Sequence, residues 1–347
     1  MDDLPFQVVR PEDLEVSVNE HPFIGKFRVK EELLKQFNKI VQRGEIYVDP
    51  DFTPNNSLLV GTSPLHPNFK EIKSIIRGWK RPKDLVEDPQ LFVDGTANTD
   101  VIQGLIGDCY LLSAFGILGD YQWINDLFVG YSGEIGVAGI VFYKDGLWHP
   151  ILIDDLLPID QFDQLIFGRS TQVNEFWISL LEKAYAKLHG SYESINTGSG
   201  ANAIEDLTSG VGRTFNIKGR TLQESIKLVW SKIDQLNQEY FLTISRSGDP
   251  TSLDNGIASS HCYGIIKGLD LDGTHLVKIR NPWGKGEWTG DWSDQSPLWT
   301  PELKELAELT DQDEGIFWIS IEDLVKEYDL LSECQIYNQS WNYLRME

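Results

Sequence analysis

Three residues that could together carry out acyl transfer stand far apart in this chain: Cys109, His261 and Asn281. A free cysteine is more often a small buried apolar residue than a nucleophile. The surroundings of Cys109 argue for chemistry. In GLIGDCYLLSAFGILG at 104–119, glycines end where an apolar helical pattern begins, so Cys109 falls at or near a helix N-terminus. The partial positive charge there favours a thiolate. Gly104 and Gly107 let backbone approach a substrate closely. Gln103 offers its side-chain amide to a developing oxyanion, alongside the backbone N–H of Cys109. A carboxylate beside the sulfur would raise its pKa, so Asp108 reads as a helix cap aimed at amides, away from the thiol.

A thiolate nucleophile needs an imidazole and a group to hold it. Among His21, His66, His149, His189, His261 and His275, His261 stands out by position. It opens HCYGIIKGLDLDGTHLVKIRNPWG, where the strand-like runs 261–269 and 275–280 flank the hairpin signal Asp272-Gly273. Antiparallel pairing about a turn near 271–273 brings the neighbourhood of His261 opposite that of Asn281. Pro282 biases Asn281 towards extended backbone. The Asn281 amide oxygen would then accept from the imidazole and fix its tautomer without adding a full charge. The plainer alternative is a β-hairpin with an incidental histidine at its end.

These residues need elements to hold them. The runs 30–41, 174–189 and 222–237 carry apolar residues at helical spacing. Residues 196–212 are dense in Gly, Ser, Thr and Asn and read as a junction between two lobes. Beyond 237 the pattern turns to short strands with Gly/Asp turns. The expected fold class is α+β, with a helical first lobe, a β-rich second lobe and the active site in the cleft between them. The expected division is an N-terminal segment 1–20, a Cys lobe 21–205, a His/Asn lobe 206–330 and a C-terminal segment 331–347.

The 347 residues suffice for two such units, and an apolar content of 41 % supports a packed core. Thirty basic against fifty-three acidic residues give a net charge of −23. That charge disfavours nucleic acid and anionic membranes as partners and leaves bound cations open. Three cysteines, an odd and low count, suit a reducing compartment. Residues 1–20 show no apolar leader, and the longest apolar run, 110–119, is too short for a transmembrane segment. A cytoplasmic protein is expected.

At these motifs the chain resembles the calpain family. QGLIGDCYLLSAFGILG at 103–119 is similar to the family's nucleophile motif, and VKIRNPWGKGEWTGDWSD at 277–294 to its Asn motif. EFWISLLEKAYAKLHGSYE at 175–193 and WKRPKDL at 79–85 match as well. The resemblance spans about 20–330 and implies a papain-like two-lobed core. It also implies a Cys109–His261–Asn281 triad, Gln103 as oxyanion donor and Trp283 as a shield over the His–Asn pair. Two departures are Tyr110, where the family usually has Trp, and Ser260, where it usually has Gly.

The resemblance further implies Ca2+ bound in each lobe. The first set would be the carbonyls of Val93 and Gly95 with the carboxylates of Asp100 and Glu182. The second would be Glu287, Asp294, Gln312 and Glu314. Ile316 stands where the family places a further carboxylate, and Asn98 where it places the arginine that pairs with it, so the second site is expected to be the poorer. No EF-hand spacing occurs, and the family's usual accessory domains are not expected. The function implied is a calcium-dependent intracellular cysteine endopeptidase acting on protein substrates by limited proteolysis. The alternatives are a catalytically silent calcium-responsive binding module on the same fold, and transglutaminase-like acyl transfer, which the Asn at 281 disfavours.

Overall fold

The structure, a computed structural model, describes residues 22–54, 69–121, 123–236, 240–249 and 253–336. The expected N-terminal segment, His21 and His66 lie outside these residues. The architecture is mixed α+β.

Helix α1 (Pro22–Arg43) packs on an antiparallel sheet of β1 (Phe128–Ser132), β2 (Val137–Lys144) and β3 (Leu147–Asp154). Strand β2 reads VAGIVFYK and is buried almost throughout. Packed against by helices as well as strands, it lacks the alternation that marks a half-exposed strand. The first part, expected to be mostly helical, therefore also holds this three-stranded sheet. Helix α2 (Cys109–Gly119) begins at the cysteine, and its next ten residues are buried. It is apolar all round, as a fully covered helix must be. Helix α3 (Trp177–His189) lines the same core with Trp177, Leu180 and Leu181. Each such side chain contributes about 1.5–3 kcal/mol on burial.

Residues 196–212 are not a plain junction. They contain helix α4 (Gly200–Thr208), which crosses the boundary expected at 205/206. Its Gly, Asn and Thr look loop-like, but Ala203, Ile204 and Leu207 form a buried apolar stripe. The chain then builds a six-stranded antiparallel sheet. Its strands are β4 (Val211–Asn216), β5 (Tyr240–Arg246), β6 (His261–Leu271), β7 (Thr274–Arg280), β8 (Ile316–Ser320) and β9 (Leu330–Gln335). Their spatial order is β8-β7-β6-β5-β9-β4. Strand β9 lies between β5 and β4, so residues 331–335, expected to be a terminal segment, are interior to this sheet. Helices α5 (Leu222–Ile233) and α6 (Ile321–Glu327) pack beside it over a second core that includes Val277, Ile279 and Phe317.

Helix α2 packs directly on β6. Ser113 Oγ donates to the Cys262 carbonyl at 3.0 Å. A Cβ on Gly264 would lie 2.6 Å from Ile117, so the glycine makes this approach possible. The Cys109 helix and the His261 strand are thus in contact.

Candidate active site

The β6–β7 turn is Asp272-Gly273, with φ of +49° and +95°. Positive φ at both positions is the type I′ arrangement, whose twist suits a two-residue hairpin. Pairing runs from Leu271↔Thr274 to Gly264↔Arg280, with one irregularity between Ile265 and Lys267. Beyond it, His261 Nε2 lies 2.8 Å from Asn281 Oδ1. An amide oxygen only accepts, so Nε2 carries the hydrogen of the neutral ring and Nδ1 keeps the basic lone pair. Asn281 is itself fixed: Nδ2 donates to the Lys285 carbonyl at 2.8 Å and the Gly286 carbonyl at 3.0 Å. Its Oδ1 also accepts from Trp283 N at 3.1 Å. The Trp283 ring lies over the imidazole with 4.3 Å between centroids and a 31° tilt. The indole is 38 % exposed and covers a pair that is 5 % and 1 % exposed. Burial lowers His261 to about 4, against the pull of the Asn281 hydrogen bond.

Cys109 stands at the first position of α2, as expected. Burial pushes its thiol well above the usual range, with Cys262 and Asp108 adding to the rise and hydrogen bonds from the Cys262 and Tyr110 backbone opposing it. Cys262 follows His261, so the sulfur lies beside the start of β6. Among the described residues no hydrogen bond joins Cys109 to His261. Both shifts favour the neutral forms of thiol and imidazole.

Two expectations about the thiol's neighbours change. Asp108 is the N-cap residue, but its side chain makes no capping hydrogen bond. Both its oxygens are buried beside Glu182, with which the carboxyl shares a hydrogen bond. Burial, and then the Glu182 charge, push Asp108 well above the carboxylate range, and burial raises Glu182 to about 7. Two buried like charges cannot both be kept, so one proton stays with the pair. Gln103 turns its amide onto its own loop, Nε2 donating to the Ile106 carbonyl at 2.8 Å. To serve an oxyanion it must turn outward.

The first acidic loop has left-handed backbone at Asp94 (φ +56°) and Gly95 (φ +99°). Asp100 Oδ2 accepts from Ala97 N at 2.7 Å. The structure does not bring Glu182 to this loop. Glu182 accepts from Gly168 N at 2.9 Å with Oε1 and 3.0 Å with Oε2, and is 1 % exposed. Glu175 is the carboxylate at the loop: its Oε1 accepts from Val93 N at 2.7 Å, and burial, with the Asp100 charge adding to it, raises its pKa. The two glutamates are seven apart, so helical periodicity puts both on one face. The helix, however, starts at Trp177. Glu175 lies before it, at an isolated bridge to Gln90, where Phe176 N donates to the Gln90 carbonyl. Sequence reasoning missed Glu175, although it begins the EFW run.

The second cluster lines an open pocket with Glu287, Asp294, Asp311, Gln312 and Asp313. Burial, then repulsion from Asp294, raises Glu287 to about 8, and burial raises Asp294 to about 6. Glu314 borders the cluster: its Oε1 accepts from Thr310 Oγ1, and its Oε2 is buried with no hydrogen-bond partner. Asp294 Oδ1 is buried and unpartnered too. Ile316 is the first residue of β8 and offers no side-chain oxygen. Asn98 hydrogen-bonds Asp120 through its backbone N at 2.8 Å and through its side chain. The other described histidines are structural: His149 Nε2 lies 3.0 Å from the Lys144 carbonyl, His189 packs on Tyr185, and His275 stacks on Trp230.

With this geometry in view, comparison with known proteins is specific. The sequence pattern of a family described as calpain family cysteine protease matches residues 47–335. A calpain-type cysteine protease, DEK1 of Arabidopsis thaliana, is 35 % identical over 316 residues, 86 % of this chain and 14 % of that protein. Calpain-9 of Rattus norvegicus is 36 % identical over 318 residues, 85 % of this chain and 44 % of that protein. The calpain-1 catalytic subunit of Gallus gallus is 34 % identical over 334 residues, 92 % of this chain and 46 % of that protein. The chain belongs to the calpain family of cysteine proteases. It spans less than half the length of these relatives.

Proposed function

We propose that the chain is a calcium-dependent cysteine endopeptidase that cleaves proteins at limited sites, on a papain-like core of two lobes with the active site between them. The observation that carries this reading is the His261–Asn281 hydrogen bond at 2.8 Å, which leaves Nδ1 free beside a helix that starts at Cys109. In this reading Nδ1 takes the thiol proton as sulfur attacks the scissile carbonyl, then returns it to the leaving amine. Water hydrolyses the acyl-enzyme by the same route in reverse. Asn281 holds the ring, Trp283 keeps water from the pair, and the Cys109 N–H with a reoriented Gln103 receives the oxyanion.

Among the described residues no three acidic side chains stand together as a metal site, but the loops offer oxygens of the kind calcium, a hard cation, takes six to eight of. The unpartnered buried oxygens of Asp294 and Glu314, and the mutual repulsion of Glu287 and Asp294, are features a cation would relieve. The second site would use Glu287, Asp294, Gln312 and Glu314, with Asp311 and Asp313 in reach of the same pocket. The first would use the carbonyls of Val93 and Gly95 with Asp100 and, in place of Glu182, Glu175. Bound calcium would neutralise these loops and draw their oxygens together. The two lobes would meet after α4, near residue 209. Three unpaired cysteines support a reducing, cytoplasmic setting. Among the described residues no helix is long and apolar enough to cross a membrane.

A specific observation favours the silent binding module as a second reading: among the described residues no hydrogen bond joins Cys109 to His261. Casein digestion by the purified chain with and without calcium, beside Cys109→Ser, separates the two. The endopeptidase reading expects calcium-dependent digestion that the variant lacks. No digestion under any calcium concentration leaves the binding module.

A further inference from the structure

Arg280 is a buried cation, 4 % exposed, and among the described residues it forms no ion pair. Its guanidinium donates to backbone instead. Nη2 donates to the Val101 carbonyl at 2.8 Å and the Thr99 carbonyl at 3.4 Å. Nη1 donates to the Glu314 carbonyl at 3.1 Å. Thr99 and Val101 flank Asp100 in the first acidic loop, and Glu314 belongs to the second. One side chain therefore spans both.

The residues that follow continue the pattern. Asn281 N donates to the Gly315 carbonyl at 2.7 Å, and Gly315 N donates to Glu287 Oε1 at 2.8 Å. The Pro282 carbonyl accepts from Gln103 N at 2.8 Å. Residues 280, 281 and 282 are each hydrogen-bonded into an acidic loop or the strand leaving it, and Asn281 is also the partner of His261. Among the described residues no charge pair duplicates this link: Asn98 is bonded to Asp120, and Ile316 has no polar side-chain atom. Arg280 takes carbonyls rather than carboxylates, so it leaves the loop carboxylates free for a cation. Burial lowers Arg280 to about 10, while attraction to Asp100, Asp120 and Glu314 opposes the shift.

We propose that Arg280 is a positioning residue that transmits occupancy of the two acidic loops to the catalytic pair. Its planar fork ties Thr99, Val101 and Glu314 into one frame, and that frame sets where Asn281 and His261 stand relative to Cys109. A lysine, with a single charged nitrogen, cannot span three carbonyls in the same way. Coupling between two sites is reciprocal, so each loop binds calcium more tightly when the other is filled, through Arg280. The proposal rests on the calcium reading above and adds the residue that carries the signal.

The test compares the full chain with Arg280→Lys and Arg280→Met. Calcium binding is followed by calorimetry, peptide hydrolysis at saturating calcium gives kcat and KM, and thermal melts report folding. Wild type is expected to show two positively linked binding events. Arg280→Met should bind calcium at both loops without linkage, with kcat about 100-fold lower and KM changed by less than about threefold. Arg280→Lys should fall between. A folded Arg280→Met with wild-type linkage and kcat overturns the proposal. If that variant does not fold, unchanged linkage and kcat in Arg280→Lys overturns it. A wild type that binds no calcium removes the calcium reading and the proposal together, whereas calcium-binding variants that behave as wild type remove the proposal alone.

Discussion

The two sides of the site are in different states of completion. On the hairpin side, His261, Asn281 and Trp283 form a finished unit: the ring is hydrogen-bonded, covered and set in one tautomer. On the helix side, burial favours the protonated thiol, Gln103 is turned onto its own loop, and the buried Asp108–Glu182 carboxyl pair lies behind the cysteine. The His–Asn pair is built by local pairing within one hairpin, its partners only 20 positions apart. The nucleophile depends on contacts from distant parts of the chain. The difference points to the meeting of helix and hairpin, rather than the His–Asn pair, as the place where the proposed activation would act.

The largest expected effect falls on the unfinished side. Cys109→Ala should lower peptide hydrolysis by about 10⁴-fold or more, with an unchanged thermal melt. Turnover near wild type would break the assignment of the nucleophile.

The finished side should show itself in stability against pH. His261 is lowered to about 4 when folded and titrates near 6.5 when unfolded. The unfolded chain therefore binds the proton more readily between these values. Stability from this group is complete above about pH 6.5 and is lost as pH falls through about 4, a change of about 3 kcal/mol. Denaturant melts of wild type and His261→Asn across this window should converge by that amount at low pH. A constant difference would mean that the imidazole is not held neutral.

Asn281→Ala should lower kcat by about 10–100-fold, because the ring loses its orientation and keeps its chemistry. A loss as large as that of Cys109→Ala would mean that Asn281 also supports the fold of the loop through Gly315. The smallest contrast separates two glutamates. Glu175→Gln should weaken calcium binding at the first loop about tenfold or more, because one anionic ligand is lost. Glu182→Gln should leave calcium affinity unchanged. Calorimetry distinguishes them, and the reverse order would restore Glu182 as the ligand.

Much of the site was legible because its signals are local. The Asp272-Gly273 turn fixes the hairpin, and the glycine-to-apolar switch fixes where α2 begins. What escaped depends on burial from afar. Strand β2 lost its alternation because helices and strands cover it, and α4 hid in a Gly-rich stretch whose apolar stripe is short. Asp108 was read as a cap from its position alone, whereas its carboxyl is committed to the interior beside Glu182. Arg280 drew no attention because its partners are backbone carbonyls, 179 and 34 residues away, which no side-chain pattern announces.

The most direct test of a calcium-controlled nucleophile is the rate at which an iodoacetamide-type electrophile labels Cys109 as calcium is titrated, followed by mass spectrometry beside peptide hydrolysis. Labelling should rise about tenfold or more with calcium and in step with hydrolysis, as the thiol gains its base and its thiolate character. An equal labelling rate and full hydrolysis in excess chelator would contradict it.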